Sequence, residues 1–132
     1  MNNEGQIRTL IENWAKAVNN KDMDSILAHH STDIVMYDLP EPLQSVGIAD
    51  YRKTWDLFFD WNKDLGSFEI LDLHITADEY VAFCFSLMKC QGRDKNGKVE
   101  ELDFRLTVGL KKINNQWTVT HEHHSIPGND PA

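Results

Sequence analysis

Cationic residues, long apolar runs and cysteines are all scarce in this sequence. Lys and Arg together number 13 against 21 Asp and Glu, which gives a formal net charge of −8. Because a negatively charged surface repels a phosphate backbone, nucleic acid is not an expected partner. No segment reaches the roughly 20 consecutive apolar residues that span a bilayer, and residues 1–4 lack the basic and apolar regions of a secretion signal. We therefore expect a cytoplasmic protein that binds no membrane.

The two cysteines, Cys84 and Cys90, are too far apart to form a disulfide with each other. They lie six residues apart in one predicted strand, so they are separated by roughly 20 Å, whereas a disulfide needs Cα atoms within about 7 Å. The sequence also has no glycine-rich phosphate loop, no P-loop lysine and no G-x-S-x-G nucleophile motif. We therefore expect buried thiols and assign no cofactor.

What the sequence does contain is typical of one globular domain. Its 132 residues are 41% hydrophobic and 26% charged, which predicts a single domain over residues 1–132. In the first half of the chain the apolar residues recur at intervals of three and four. This spacing predicts amphipathic helices over residues 5–20, from near Met23 onward, and over residues 48–62.

Alternating apolar residues predict strands in the remainder of the chain. A short strand over residues 33–37 ends at Asp38, where a proline-rich loop begins. Beyond Gly66 four strands joined by hairpins are predicted over residues 67–76, with a bulge after Ile70, and over residues 80–91, 99–113 and 116–125. The predicted fold class is α+β, in which three N-terminal helices pack in a curved, mostly antiparallel sheet that encloses a cavity.

Two segments of the sequence carry a family resemblance. The segment DIVMYDLP at residues 33–40 and the ending WTVTHEHHS at residues 117–125, together with the order of elements, resemble the nuclear-transport-factor-two-like superfamily. This superfamily includes ketosteroid isomerases, SnoaL-like polyketide cyclases and the association domain of calcium/calmodulin-dependent kinase. The resemblance covers almost the whole chain and implies a cone-shaped α+β barrel around a ligand cavity. Since the fold hosts both enzymes and non-catalytic scaffolds, it does not fix the function.

Asp38 is the first candidate catalytic residue. Its place at the end of the first strand is similar to that of the ketosteroid isomerase base, and a carboxylate at the rim of an apolar cavity suits the removal of a proton next to a carbonyl group. The alternative is that Asp38 only caps the loop through an Asx turn.

The isomerase pattern also implies two hydrogen-bond donors for the substrate oxygen, a tyrosine on the first helix and an acid on a late strand. Asp103 lies in a segment similar to that acid, but Trp14 occupies the helix position. An indole donates one hydrogen bond and lacks the acidity of a phenol. Trp14 is therefore either a ligand contact or a core residue.

Arg105 is the candidate group for an anionic ligand. It lies in the middle of a predicted strand, and a similar strand of the kinase association domain has an arginine that points into a pocket. Its planar guanidinium can bind a carboxylate or phosphate through two hydrogen bonds. The alternative is a structural salt bridge with Asp103 or Glu122.

The histidine-rich ending supplies the remaining candidates. Alternation places Glu122 and His124 on one face, where we expect them to share the cavity with Arg105, and places His121 and His123 on the other. The alternative is a metal site in which His121 and His123 share an ion with a third ligand such as His74 or Asp72; the resemblance implies this ending without a metal, so no metal site is assigned. Tyr37 and Trp55 are candidates for the cavity entrance, with a core role as the alternative.

Two functional hypotheses follow from these residues. In the first, the protein is an isomerase, cyclase or dehydratase that acts on a small organic molecule, either anionic or neutral. Asp38 is the base, and Arg105 with Glu122 or His124 holds a substrate oxygen. In the second, it is a non-catalytic ligand-binding or dimerisation module. A homodimer is expected through one apolar strand face, formed by Leu102, Phe104, Leu106, Val108 and Leu110.

Overall fold

The computed structural model describes residues 1–128, which form three helices and seven strands. The helices are α1 (Asn3–Asn19), α2 (Met23–Leu27) and α3 (Ile48–Asn62). The strands are β1 (His30–Tyr37), β2 (Ser45–Val46), β3 (Glu69–Ile70), β4 (His74–Ala77), β5 (Val81–Arg93), β6 (Val99–Ile113) and β7 (Gln116–Ser125). None of the described helices combines the length and apolar content needed to cross a membrane.

All three predicted helices are confirmed, and local sequence explains where they begin. The Asn2 side chain caps α1 by accepting a hydrogen bond from the Gly5 backbone N–H at 2.8 Å. Asp22 caps α2 in the same way, at 3.3 Å from the Ser25 backbone nitrogen. Before α3, Gly47 has a φ of 91°, a backbone conformation that glycine adopts without steric cost.

The strands form one curved, open, mixed sheet in the order β2-β1-β7-β6-β5-β3, and β4 also pairs with β5. Every pairing is antiparallel except that of β1 with β7, which is parallel. The predicted α+β fold and mostly antiparallel sheet are therefore confirmed. The strand predicted over residues 67–76 is divided into β3 and β4, which separate just after Ile70, where a bulge was expected.

The helices cover the concave face of the sheet, and the core lies between them. On β6 the buried side chains include Phe104, Leu106 and Val108. They share a face with buried Cys84 and Met88 of β5, because Cys84 pairs with Val108 and Met88 with Phe104. The expectation that this apolar face of β6 forms a dimer contact is therefore wrong, since the face is already covered by the protein's own helices.

The opposite, convex face of β5 is apolar and open. Val81, Phe83, Phe85 and Leu87 are each 47% to 55% exposed, whereas the smaller side chains of the strand point into the core. Small side chains on the concave face leave room for the aromatic residues of α1 and α3, such as Trp14 and Trp55. The larger apolar side chains of β5 are consequently left on the outside.

Candidate functional site

A cavity of about 420 Å³ lies between α3 and the concave face of the sheet. Most of its wall is apolar and aromatic, with Trp55, Phe58 and Trp61 from α3 on one side. Phe68, Leu102 and Phe104 contribute to the lining opposite α3. The polar side chains of the described lining are those of Asp38, Thr54 and His124. Apolar pockets with a few converging polar groups are typical of small-molecule sites.

The parallel pairing of β1 with β7 brings Asp38 and His124 together. Tyr37 is paired with His123, so the residue that follows each of them lies at the same end of the two strands. The distance between Asp38 Oδ1 and His124 Nδ1 is 3.5 Å. Asp38 Oδ1 also accepts a hydrogen bond from the Leu39 backbone N–H at 2.8 Å, and its side chain is 19% exposed, whereas that of His124 is 8% exposed. Asp38 thus lies at the cavity mouth with its carboxylate held in place.

The other ring nitrogen of His124 contacts a buried carboxylate. Nε2 lies 2.9 Å from Oε2 of Glu122, whose side chain is 1% exposed. Burial favours the neutral form of His124, but the adjacent carboxylates of Asp38 and Glu122 outweigh that effect and raise the pKa of His124 to about 9. Burial likewise acts to raise the pKa of Glu122, but the hydrogen bond from His124 and the His30 imidazole, 3.8 Å away, lower that pKa to about 2. The two groups form an ion pair at neutral pH.

Tyr51 and His30 complete this buried network behind the cavity. The Tyr51 hydroxyl donates to Glu122 Oε1 at 2.9 Å and accepts from the Trp14 indole N–H at 3.3 Å. His30 Nε2 lies 3.2 Å from the same hydroxyl oxygen. Burial, followed by the Glu122 charge, raises the pKa of Tyr51 well above its ordinary value, so the phenol remains a donor.

Sequence reasoning did not single out Tyr51 or His30. Tyr51 belongs to the apolar stripe of α3, which carries no sign of a polar partner. His30 follows a short helix, and the dipole at the C-terminal end of a helix favours a basic side chain there whether or not that side chain has a functional partner. Their shared contact with Glu122 depends on the pairing of β1 with β7, which joins distant parts of the chain.

Of the other predicted ligand contacts, the structure places Trp55 in the cavity wall and Trp14, Tyr37 and Glu122 elsewhere. Trp14 is a core residue that supports Tyr51, and Glu122 lies behind His124. Tyr37 is exposed, with ring centroids 4.7 Å and 5.3 Å from those of His121 and His123. It points away from the cavity because side chains alternate along β1.

The structure does not bring Arg105 or Asp103 into the cavity. Both side chains are exposed on the convex face of the sheet, because the alternate residues Leu102 and Phe104 point inward. Arg105 Nε donates to Ser125 Oγ at 3.0 Å, and Asp103 is paired with Lys89 in the strand register. The expectation that Arg105 shares the cavity with Glu122 and His124 therefore fails. Period-two alternation identifies residues that share a face but does not tell which face is concave.

In the described part of the chain, His121 does not share the cavity or a metal site with the other histidines of the ending. His121 Nδ1 lies 2.7 Å from the Val35 carbonyl oxygen, on the side of the strand away from His124. Within residues 1–128, His, Cys, Asp and Glu side chains nowhere gather in threes in an arrangement that could hold a metal ion.

Comparison with known proteins agrees with this architecture. The model of the SnoaL-like domain family matches residues 7–129. An NTF2-like protein of unknown function from Pseudomonas putida KT2440 is 31% identical, with a TM-score of 0.83 over 99% of this chain and 92% of that one. Among curated proteins, none matches the chain.

Two more distant structures share the fold alone. A ketosteroid isomerase-like protein from Erwinia carotovora atroseptica SCRI1043 is 18% identical, with a TM-score of 0.74 over 95% of this chain and 97% of that one. The association domain of CaMKII from C. elegans is 20% identical, with a TM-score of 0.71 over 93% of this chain and 95% of that one. Taken together, the family match and the fold show that the chain belongs to the SnoaL-like domain family, within the nuclear-transport-factor-two-like superfamily.

Proposed function

We propose that the protein is a small-molecule enzyme in which Asp38 removes a proton from the carbon next to a carbonyl group while His124 donates a hydrogen bond to the carbonyl oxygen. Isomerisation, cyclisation and dehydration all begin with such a step. The observation that carries the proposal is the pair formed by Asp38 and His124 in the wall of an otherwise mostly apolar cavity of about 420 Å³. Ligand pockets commonly measure about 300 to 1,000 Å³, so the cavity is large enough for a small cyclic organic molecule.

The spacing of the pair leaves both groups available to a ligand. At 3.5 Å, the contact between Asp38 Oδ1 and His124 Nδ1 is longer than a normal hydrogen bond. A ligand oxygen near Nδ1 can accept from His124, and the carboxylate can take the proton from the neighbouring carbon. The negative charge that develops on the oxygen then faces the imidazolium, and the surrounding aromatic wall strengthens this interaction by excluding water.

The placement of Arg105 changes the expected substrate. The anionic ligand was expected because of Arg105, which lies on the convex face. Within the described lining, Asp38 supplies a carboxylate and no arginine or lysine accompanies it. An uncharged, largely apolar ketone or enone therefore suits the cavity better than a carboxylate or phosphate.

Hydrogen exchange tests the proposed proton removal without knowledge of the final product. Cyclic ketones of one to four rings are first ranked by their effect on thermal unfolding, since a bound ligand raises the stability of the folded state. The protein should then accelerate the exchange of protons next to the carbonyl group of a stabilising ketone in D2O, followed by proton NMR. The variant Asp38→Asn should lose this activity by about 100-fold or more, because it removes the general base.

The matched control is Asp60→Asn, which removes an exposed carboxylate of the same helix that carries Trp55. Exchange should be unchanged in this variant. The proposal fails if Asp38→Asn exchanges protons as fast as the original protein, or if stabilising ketones exchange no faster with the protein than without it.

We also propose that the protein forms a homodimer through the convex face of β5. Val81, Phe83, Phe85 and Leu87 form a row of half-exposed apolar side chains, and such patches mark interaction surfaces. A second copy of the same face is the simplest complementary partner under two-fold symmetry. The C. elegans neighbour is by its name an association domain. A chain that only dimerises, without turnover, would favour the role of an assembly module.

Sedimentation tests the dimer with two lysine substitutions. Phe85→Lys should convert the dimer into a monomer, because it places a charge in the middle of the apolar row. Leu43→Lys serves as the control, since Leu43 is 94% exposed in the loop outside this face. A monomeric original protein, or a dimer that survives Phe85→Lys, would contradict the proposed interface.

A further inference from the structure

Glu122 lies behind the cavity, between His124 and Tyr51, and the proposed reaction does not use it directly. We propose that Glu122, held by Tyr51 and His30, is a positioning residue that keeps His124 doubly protonated, so that the cavity offers a permanent hydrogen-bond donor to an uncharged acceptor oxygen. The inference rests on the proposed function for the nature of the ligand, but the protonation of His124 is a property of the free protein.

The contacts of the imidazole ring require two protons if both carboxylates are ionised. Nε2 lies 2.9 Å from Glu122 Oε2, and Nδ1 lies 3.5 Å from Asp38 Oδ1. A neutral imidazole carries one N–H and one lone pair. Whichever nitrogen lacked its proton would direct a lone pair at a carboxylate oxygen. Only the imidazolium makes both contacts attractive.

The proton shared by Glu122 and His124 could instead lie on Glu122, and the surroundings of the other carboxylate oxygen decide against this. Oε1 accepts from the Tyr51 hydroxyl at 2.9 Å and lies 3.8 Å from His30 Nε2. The Trp14 indole N–H, 3.3 Å from the Tyr51 oxygen, polarises the hydroxyl further. Hydrogen bonds to a carboxylate favour its ionised form. Burial acts to raise the pKa of Glu122, but its contacts with His124 and His30 outweigh burial and lower that pKa to about 2.

Among the described residues, Glu122 and Asp38 are the charged side chains that contact the His124 imidazole. From α3 and β6, Trp55 and Phe104 present aromatic rings to His124, with centroids 6.3 Å and 5.0 Å from the imidazole. From β5, Cys84 is near Glu122, but burial and then the Glu122 charge raise its pKa to about 12, so the thiol is neutral. The carboxylates that face His124 are therefore those of Glu122 behind it and Asp38 at the cavity mouth, and the His30 imidazole lies on the far side of Glu122.

This arrangement selects the ligand. The positive charge of His124 is balanced by Glu122 on the side away from the cavity, and Asp38 carries a negative charge beside the ligand position. An anionic ligand would be repelled by Asp38, whereas a neutral carbonyl oxygen accepts the Nδ1–H without bringing a new charge into the apolar cavity.

Nitrogen NMR of the histidine rings in the ligand-free protein tests the inference, with His124→Gln used to assign the signals. Both ring nitrogens of His124 should be protonated at pH 7.5, and the midpoint for proton loss should lie near 9. Glu122→Gln should lower that midpoint by about one to three pH units, because it removes an adjacent opposite charge. Glu101→Gln is the control, since it removes an exposed carboxylate of the same sheet.

A purely structural role for Glu122 would give a different result. In that case Glu122→Gln would lower the stability and leave the His124 midpoint unchanged. Glu122→Asp keeps the charge but moves it away from Nε2, so it should lower the midpoint by less, and it replaces Glu122→Gln if that variant does not fold. A neutral His124 at pH 7.5 in the original protein overturns the inference without any variant. A lack of ketone binding would contradict only the proposed function, because the spectra are recorded without ligand.

Discussion

The contact between Gly92 and Trp61 offers a quantitative test of how the cavity wall is built. Trp61 of α3 lines the cavity and lies against Gly92 of β5, where a side chain is absent. A Cβ atom added at Gly92 would lie 2.0 Å from both Cδ2 and Cε2 of the indole. Since carbon atoms make favourable contact at about 3.5 to 4.0 Å, Gly92→Ala forces the ring to move by about 1.5 to 2 Å.

That displacement has a measurable cost. The indole Nε1 donates to Glu100 Oε1 at 2.9 Å, and a shift of this size breaks the bond. Overpacking typically costs about 1 to 3 kcal/mol. For a domain of this size, even the lower figure reduces the melting temperature by about 4 °C. Circular dichroism during heating measures the change, and Trp61→Ala supplies the test of its cause.

If the clash is the cause, the cost of Gly92→Ala should largely disappear in a chain that already carries Trp61→Ala. The two substitutions should thus be non-additive by about 1 kcal/mol or more. Gly109→Ala is the control, because a Cβ at that position of β6 meets its nearest neighbour, His121 Cβ, at an ordinary 3.5 Å. A melting temperature unchanged by Gly92→Ala, or strictly additive costs, would refute the reasoning.

Two further predictions concern the titratable groups. The stability that His124 contributes should be fully present below pH 6.5 and should be lost as the pH rises towards about 9. The stability that Glu122 contributes should be fully present above pH 4.5 and should be lost as the pH falls towards about 2. Urea unfolding across this range should give a maximum near pH 5.5, and a free energy that is flat above pH 6.5 would contradict the His124 assignment. Burial raises the pKa of both Cys84 and Cys90 to about 12, so the folded protein should react slowly with a thiol reagent at pH 8, and Cys84, which is fully buried outside the cavity lining, should be labelled only in denaturant. Rapid labelling of the folded protein would show that the thiols are accessible.

The order and type of the elements could be predicted from the sequence because local patterns determine them. The helical spacing of Ile7, Ile11, Trp14 and Val18 predicted α1, and alternation correctly placed Glu122 and His124 on one face of β7. These signals need no knowledge of distant residues.

The orientation of the sheet could not be predicted in the same way. Both faces of β5 are apolar, so its sequence does not indicate which face the helices cover. The answer depends on volume, since the small Ala82, Cys84 and Ser86 accommodate the bulky helices. Arg105 was misplaced for a different reason: β6 has one apolar and one polar face, and the polar face was assigned to the cavity although the helices cover the apolar one. The cluster around Glu122 was missed because it combines residues from β1, α3 and β7.

The parallel pairing of β1 with β7 also has a consequence for synthesis of the chain. Asp38 leaves the ribosome well before His124, and at about 5 to 20 residues per second the interval is several seconds. During that time β1 lacks its β7 neighbour, and the helices have only part of the sheet to cover. The contact between Asp38 and His124 therefore cannot form until β7 has been synthesised, and a nascent chain that ends before β7 carries the carboxylate at the cavity mouth without its imidazole partner.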